Sequence, residues 1–137
     1  MATALNRQFP HLRPEEISVW LRFLQKFPGR FDSFSYDVRV GSGVKLNSET
    51  PENIRKMALG LSQKRIDVVT KGVEGLTLVE ISPNADADSV GQLLVYGTLW
   101  VKDNPGQPSP KLLLVTGSER SDIREVAEST GVEFLVV

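Results

Sequence analysis

The chain has 137 residues, of which 40% are hydrophobic and none is cysteine. This length and apolar content fit one globular domain with one hydrophobic core. The lack of cysteine excludes disulfide frameworks, cysteine nucleophiles and thiolate metal sites. No stretch approaches the roughly 18 apolar residues of a membrane span, so we expect a protein that is cytoplasmic on synthesis. The net charge of −1 lacks the basic excess typical of domains that wrap a phosphate backbone.

The chain divides into an arm and a domain. Residues 1–13 have no clear period, and we interpret them as an N-terminal arm that becomes ordered only against a partner. Residues 14–137 then form the single domain. The run Pro14-Glu15-Glu16 is a favourable first helical turn, and apolar residues at helical spacing continue to Phe27. Because acids stabilise a helix start, a catalytic role for Glu15 or Glu16 is only an alternative.

A half-buried strand and a second helix follow. Between Asp32 and Val40, apolar residues alternate with polar ones, which predicts one buried face made of Phe34, Tyr36, Val38 and Val40. Thr50 then caps a helix with Pro51 at its first position, and its apolar residues reach Leu61.

The remaining elements set the fold class. Gly72-Val73-Glu74-Gly75 separates two apolar strands and predicts a hairpin. Later apolar strands are joined through helices, which indicates parallel pairing. We therefore predict an α/β fold with a mixed central sheet, in which an antiparallel hairpin feeds parallel crossovers and helices lie on both faces. The predicted elements are strands Arg65–Lys71 and Leu76–Ser82, a helix capped by Asp88 or Ser89 that reaches Val101, strand Lys111–Thr116, a helix capped by Ser121, and strand Val132–Val137.

Two acids stand in the apolar hairpin strands. If the hairpin closes with Lys71 opposite Leu76, Asp67 lies directly opposite Glu80, with Cβ atoms about 4.5–5.5 Å apart. Opposed like charges are unfavourable unless something neutralises them, and Mg²⁺ takes carboxylate oxygens. The spacing therefore suggests a metal site. The alternatives are that one or both acids are solvated at strand ends, or that Arg65 pairs with one of them.

The helix after the hairpin carries polar groups that can face these acids. Gln92 and Tyr96 are four residues apart and share one helix face. The alternative is that Tyr96 is a core aromatic and Gln92 an exposed helix former. His11 is the only histidine in the chain, which excludes a multi-histidine metal site.

Asp67, then Glu80-Ile81-Ser82, then Gln92-Leu93-Leu94-Val95-Tyr96 resemble the signature of the PD-(D/E)XK nuclease superfamily, in its RecB-like branch with the QxxxY motif. The resemblance implies a restriction-endonuclease-like fold and Mg²⁺ or Mn²⁺ ligation by Asp67 and Glu80. It also implies that Gln92 and Tyr96 support the site and contact nucleic acid.

One position departs from that signature. Ser82 stands where the superfamily has a lysine that orients the attacking water and stabilises phosphate charge. In the same hairpin register Arg65 faces Ser82 and could supply the missing positive charge, although arginine is too basic to act as a general base.

Three functions remain open. The favoured one is a catalytically degenerate nuclease-like domain that acts as a structural or interaction module. The run Gly91-Gln92-Leu93-Leu94-Val95-Tyr96 is similar to that of small phage-encoded domains, which implies a virion component of head, neck or tail, oligomeric and bound to other virion subunits. The second is an active Mg²⁺-dependent DNA endonuclease or exonuclease that uses Asp67, Glu80 and Arg65. The third is a DNA-binding module without cleavage.

Overall fold

The computed structural model describes residues 9–41, 49–56 and 64–137. They form five strands and three helices of nine residues or more. None of these helices is long and apolar enough to cross a membrane. Residues 52–56 are also helical, and the rest of the helix predicted after Thr50 lies outside the described residues. In chain order the elements are α1 (Pro14–Lys26), β1 (Ser33–Val40), β2 (Lys64–Gly72), β3 (Gly75–Ser82), α2 (Ala87–Asp103), β4 (Lys111–Thr116), α3 (Ser121–Ser129) and β5 (Val132–Val136).

The five strands form one sheet in the order β1-β2-β3-β4-β5. The pairs β1–β2 and β2–β3 are antiparallel, whereas β3–β4 and β4–β5 are parallel. The hairpin pairs Lys71 with Leu76, as predicted, and also Gly72 with Gly75, so its loop consists of Val73 and Glu74 alone. Helix α2 links β3 to β4, and α3 links β4 to β5. The predicted mixed sheet, with an antiparallel hairpin and parallel crossovers, is confirmed.

Helices cover both faces of the sheet, as predicted. Trp20 and Phe23 of α1 are 0% and 1% exposed and centre one cluster, here called the α1-side core. Leu93 of α2, also 0% exposed, belongs to the cluster on the opposite face, the α2-side core. Each such side chain contributes roughly 1.5–3 kcal/mol by its burial. The strand β3 alternates between them, because Val79 and Ile81 belong to the α1-side core and Leu78 to the α2-side core.

Strand β1 changes faces midway, which corrects the single buried face predicted for it. Tyr36 belongs to the α1-side core, and Phe34 makes an edge contact with Trp20 of α1 at 5.9 Å between ring centroids. Val38 and Val40 belong to the α2-side core. Asp37, which lies between the two halves, has a φ of 55°. This left-handed conformation is uncommon outside glycine, and it reverses the alternation.

Strand β2 changes faces at the same level. Val68 belongs to the α1-side core, whereas Ile66 belongs to the α2-side core. The β1–β2 register pairs residues on either side of this level but skips Asp37 and Asp67. The break in the ladder leaves backbone groups of Asp67 available to other partners.

The described end of the predicted arm contacts the domain itself. Phe9 and Leu12 are 1% and 6% exposed and belong to the α1-side core. A turn connects the two residues, and in it the Leu12 amide donates a hydrogen bond to the Phe9 carbonyl at 3.1 Å. Residues 9–13 are therefore ordered against this chain, and residues 1–8 lie outside the described residues.

Three helix starts differ from the predicted caps. Pro51 precedes the helical residues 52–56 and its carbonyl accepts the amide of Arg55 at 3.0 Å, so Pro51 and not Thr50 occupies the cap position. Asp86 is the N-cap of α2, and its carboxylate accepts the amide of Ser89 at 3.0 Å. Ser89 therefore lies in the first turn and is not the cap, and the same holds for Asp88. Likewise Arg120 precedes α3, and Ser121 is the first helical residue. Sequence alone did not separate a cap from a polar residue one or two positions inside the helix.

Candidate metal and nucleic-acid site

Asp67 and Glu80 lie side by side where β2 separates from β3. The carboxyl group of Glu80 donates a hydrogen bond to the carboxylate of Asp67. The carboxylate of Asp67 also contacts the backbone of β3, because its Oδ2 accepts the Ile81 N–H at 2.9 Å. Glu80 is only 7% exposed. The proximity expected from the hairpin register is present, and the pair consists of a buried Glu80 and a half-buried Asp67.

Burial governs the protonation of this pair. It raises the pKa of Glu80 to about 10, and the hydrogen bond to Asp67 and the charge of that residue add to the effect. Burial also raises the pKa of Asp67, while hydrogen bonds from Glu80 and from the Ile81 N–H oppose the rise. Because two adjacent carboxylates in an apolar setting cannot both ionise without a counter-charge, the pair retains a proton at neutral pH.

Glu16 of α1 adds a third negative charge near the pair. Its charge contributes to the raised pKa of both Asp67 and Glu80. Its own Oε1 accepts the backbone N–H of Arg13 at 2.9 Å and lies 3.2 Å from the Nε of Arg13. This contact belongs to the helix cap, so Glu16 has both a capping role and a place beside the site. Glu15, the other acid of that turn, is exposed.

Gln92 and Tyr96 of α2 hydrogen bond to each other beside the acids. The Tyr96 hydroxyl donates to Gln92 Oε1 at 3.1 Å, and Tyr96 is 6% exposed. Burial is the main cause of the raised pKa of Tyr96, and the charges of Glu80 and Asp67 add to it. The charges of the two acids act on Tyr96, so the helix face that Tyr96 shares with Gln92 lies near the acid pair, as the i, i+4 spacing allows.

Ser82 is tied to the start of α2. Its Oγ lies 3.1 Å from the Oγ of Ser89, which is itself 3.1 Å from the Oδ1 of the N-cap Asp86. On the other side Ser82 pairs with Thr116 in the β3–β4 ladder. The position where the superfamily signature has lysine is thus an uncharged part of a helix cap.

Arg65 lies elsewhere than the hairpin register predicts. Among the described residues the β2–β3 pairing ends at Val68–Val79, so the expected pairing of Arg65 with Ser82 is not formed. The change of faces at Asp67 explains this. Residues of β2 before Asp67 point to the face opposite to the one that regular alternation from the hairpin would give them. The Arg65 side chain instead reaches β1, where its Nε lies 3.6 Å from Asp37 Oδ1.

His11 is a neighbour of the site that sequence reasoning did not select. Its Nε2 lies 3.1 Å from the backbone carbonyl oxygen of Asp67, 56 residues away in sequence. No local sequence pattern predicts this contact, since a single histidine in an irregular segment is not part of any helical or strand periodicity. The sequence excluded a histidine-rich metal centre and said nothing about a histidine that contacts the backbone.

The donor set fits a hard divalent cation held mainly by two side chains. No lysine or arginine is among the charges that shift the pKa of Asp67 or Glu80 in the described residues. No group of three His, Asp or Glu side chains there is placed to hold an ion together. Mg²⁺ commonly uses one or two carboxylates and keeps several waters. Asp67 and Glu80 match that pattern once they release their shared proton.

Comparisons with known proteins bear on the fold. The chain is similar to a repair endonuclease from Pyrococcus abyssi, with a TM-score of 0.52 and 18% identity over 88% of this chain. It is also similar to the EndoMS–dsDNA2 complex, with a TM-score of 0.53 and 14% identity over 92% of this chain. It spans 46% of the length of each of these proteins. No family model matches, and no curated protein matches. The likeness confirms the predicted restriction-endonuclease-like fold.

Proposed function

We propose that the chain is a PD-(D/E)XK-like nuclease domain that binds Mg²⁺ or Mn²⁺ through Asp67 and Glu80 and acts on DNA, with a weakened hydrolytic step. The observation that carries the proposal is the acid pair itself, which is largely shielded from solvent and shares a proton. In the described part of the chain no lysine or arginine contributes to the pKa shifts of the pair, and the charge of His11 lowers the pKa of Asp67 only as the smallest of the contributions. Such a pair costs stability in the metal-free protein, and a divalent cation offsets that cost.

The weak hydrolytic step follows from the surroundings of the pair. A bound divalent cation would supply Lewis acidity and lower the pKa of a water molecule. In this chain Asp67 and Glu80 would hold the cation, and the hydrogen-bonded pair of Gln92 and Tyr96 would line the site. Ser82 provides no charge to orient water or to stabilise developing phosphate charge. Arg65, which the sequence offered as a replacement for the lysine charge, instead lies with its Nε 3.6 Å from Asp37 Oδ1.

DNA as the ligand is supported by one neighbour and by one charge arrangement. EndoMS was solved in complex with double-stranded DNA. In this chain Arg39 and Arg65 are directly opposed across β1 and β2, and both are exposed. Asp37, 3.6 Å from Arg65, offsets part of the repulsion between the two arginines, and a phosphate between them would offset more of it. With a net charge of −1 we expect weak binding that decreases steeply with salt.

The second candidate is a non-catalytic interaction module, such as an oligomeric phage virion component with protein partners. One observation favours it. Ser82 and Ser89 hydrogen bond within the cap of α2, so the lysine position contributes to the fold instead of to a reaction. In this candidate the acid pair remains protonated and binds no metal.

Calorimetric titration with Mn²⁺ and Mg²⁺, beside a plasmid-nicking assay, separates the two candidates. The variant is Asp67→Ala with Glu80→Ala, and the matched control is Glu125→Gln, which alters an exposed acid of α3. Mn²⁺ binding by the wild type and the control but not by the double variant supports the metal site, and slow nicking with the same dependence supports the nuclease. Wild-type protein that neither binds Mn²⁺ nor nicks DNA overturns the proposal in favour of the interaction module.

A further inference from the structure

The short segment from Phe9 to Leu12 places a histidine against the backbone of a proposed metal ligand. Its two apolar residues are buried in the α1-side core and act as anchors on either side of the imidazole. Between them His11 Nε2 lies 3.1 Å from the carbonyl oxygen of Asp67. A carbonyl oxygen only accepts hydrogen bonds, so Nε2 carries the hydrogen and donates it.

The carbonyl of Asp67 is available because the β1–β2 ladder is interrupted there. Asp37 and Asp67 lie opposite each other, yet the register pairs only the residues on either side of them. The φ of 55° at Asp37 turns its backbone away from regular strand geometry. A carbonyl oxygen shielded from water needs a hydrogen-bond donor, and the imidazole N–H of His11 supplies one where the strand pairing is interrupted.

Asp67 is consequently held from two sides. His11 bonds its backbone carbonyl, and the Ile81 N–H bonds its carboxylate at 2.9 Å. The other ring nitrogen, His11 Nδ1, is buried and has no hydrogen-bond partner in the described part of the chain. The contact with Asp67 is therefore the polar interaction that fixes the ring.

We propose that His11 is a positioning residue for the metal site, which holds the Asp67 backbone so that its carboxylate is oriented towards a divalent cation. The inference rests on the proposed function for the cation itself. Groups that orient metal ligands commonly change metal affinity by 10–100-fold. Removal of the donor should therefore weaken Mn²⁺ binding without removing a ligand.

The test compares His11→Leu and His11→Met, which lack a donor, with His11→Gln, whose amide can still donate. Two measurements are made on the full chain: Mn²⁺ affinity by calorimetry, and hydrogen exchange of the Ile81 amide by NMR in metal-free protein. We expect about tenfold weaker Mn²⁺ binding and faster Ile81 exchange in the donor-free variants. The Gln variant should stay within about threefold of wild type for both, on the same basis. Exchange of the Leu113 amide, in the sheet interior, reports whether the fold is intact.

The two proposals fail in different ways. Wild-type protein that binds no Mn²⁺ overturns the proposed function, and the Ile81 amide then still reports whether His11 orients Asp67. Donor-free variants with wild-type Mn²⁺ affinity, or with unchanged Ile81 exchange, overturn the inference about His11. Having both Leu and Met variants keeps the test decisive if one of them does not fold.

Discussion

Asp67 Oδ2 accepts the backbone N–H of Ile81 at 2.9 Å, at the level where the β2–β3 backbone pairing has already ended at Val68–Val79. A side chain thus takes the place of a backbone carbonyl at the end of the hairpin ladder. The residue proposed to bind metal also lies where the pairing of these strands ends, so we expect its substitution to change both the proposed metal binding and the stability of the fold.

The first prediction separates these two roles of Asp67. Asp67→Asn keeps an oxygen that can accept the Ile81 N–H, whereas Asp67→Leu leaves that buried donor unpaired. We expect the Leu variant to lose about 1–3 kcal/mol of unfolding free energy and the Asn variant less than about 1 kcal/mol. Both should lose Mn²⁺ binding. Urea unfolding and calorimetry measure the two effects, and equal stability of the two variants would contradict the role of the Ile81 contact.

The second prediction concerns the pH dependence of stability. Burial first, and then the contact with Asp67, raise the pKa of Glu80 from 4.5 to about 10. Between those values the folded state binds one more proton than the unfolded state. The contribution of Glu80 is therefore fully present at low pH and is lost as pH rises, by at most about 1.4 kcal/mol per pH unit.

Urea unfolding of metal-free protein at several pH values between about 5 and 9 measures this slope. The Glu80→Gln variant should show a flatter profile, while Glu125→Gln, an exposed control, should follow the wild type. Saturating Mn²⁺ should reverse the trend, because metal binding requires deprotonated carboxylates and becomes stronger at higher pH. A Glu80→Gln profile parallel to that of the wild type would contradict the shared proton.

The sequence predicted the parts of the site that depend on local rules. A hairpin that closes with Lys71 opposite Leu76 fixes the register of its strands, so the proximity of Asp67 and Glu80 could be obtained by counting from the turn. The periodicity of a helix is also a local rule, and the i, i+4 spacing placed Gln92 and Tyr96 on one face of α2. Continuous apolar strands joined by helices likewise predicted the parallel half of the sheet.

What the sequence did not predict depends on one backbone angle and on long-range contacts. The alternation in β1 looks regular, and nothing in it marks Asp37 as the residue with positive φ. That change of faces is why Arg65 does not reach Ser82. The His11 contact joins residues 56 positions apart. His11 lies in an irregular segment, and such a segment has no periodicity from which a contact can be predicted.

The third prediction tests the pairing of Gln92 with Tyr96. Tyr96→Phe and Gln92→Ala each remove the hydrogen bond of 3.1 Å between them. Because Tyr96 is buried and Gln92 exposed, Gln92→Ala leaves the hydroxyl of Tyr96 without this partner and should lose about 1–3 kcal/mol. Tyr96→Phe leaves only an exposed amide that water can bond, and it should lose about 0.5–1.5 kcal/mol. A double-mutant cycle by urea unfolding should give a coupling of at least about 0.5 kcal/mol. Strict additivity of the two changes would mean that the hydroxyl of Tyr96 has another partner.

The fourth prediction concerns the missing lysine. Ser82 lies two residues after Glu80 on β3, at the position where the signature that this chain resembles has a lysine. Ser82→Lys introduces that charge next to the acid pair, and its attraction to Asp67 and Glu80 should also lower the pKa of Glu80. We expect Mn²⁺-dependent plasmid nicking to rise at least about tenfold, since one well-placed group that stabilises developing charge contributes 10²–10³ in favourable cases.

Ser82→Met is the matched control, because it has a similar length and also breaks the Oγ contact of 3.1 Å with Ser89 but adds no charge. Both variants should lose about 1 kcal/mol of stability from the altered cap of α2, which makes their folds comparable. Faster nicking by the Lys variant alone would show that only this charge limits the reaction. Equal and negligible nicking by both variants, in protein that binds Mn²⁺, would place the defect elsewhere, and Arg65 held by Asp37 would then be the next group to release, through Asp37→Asn.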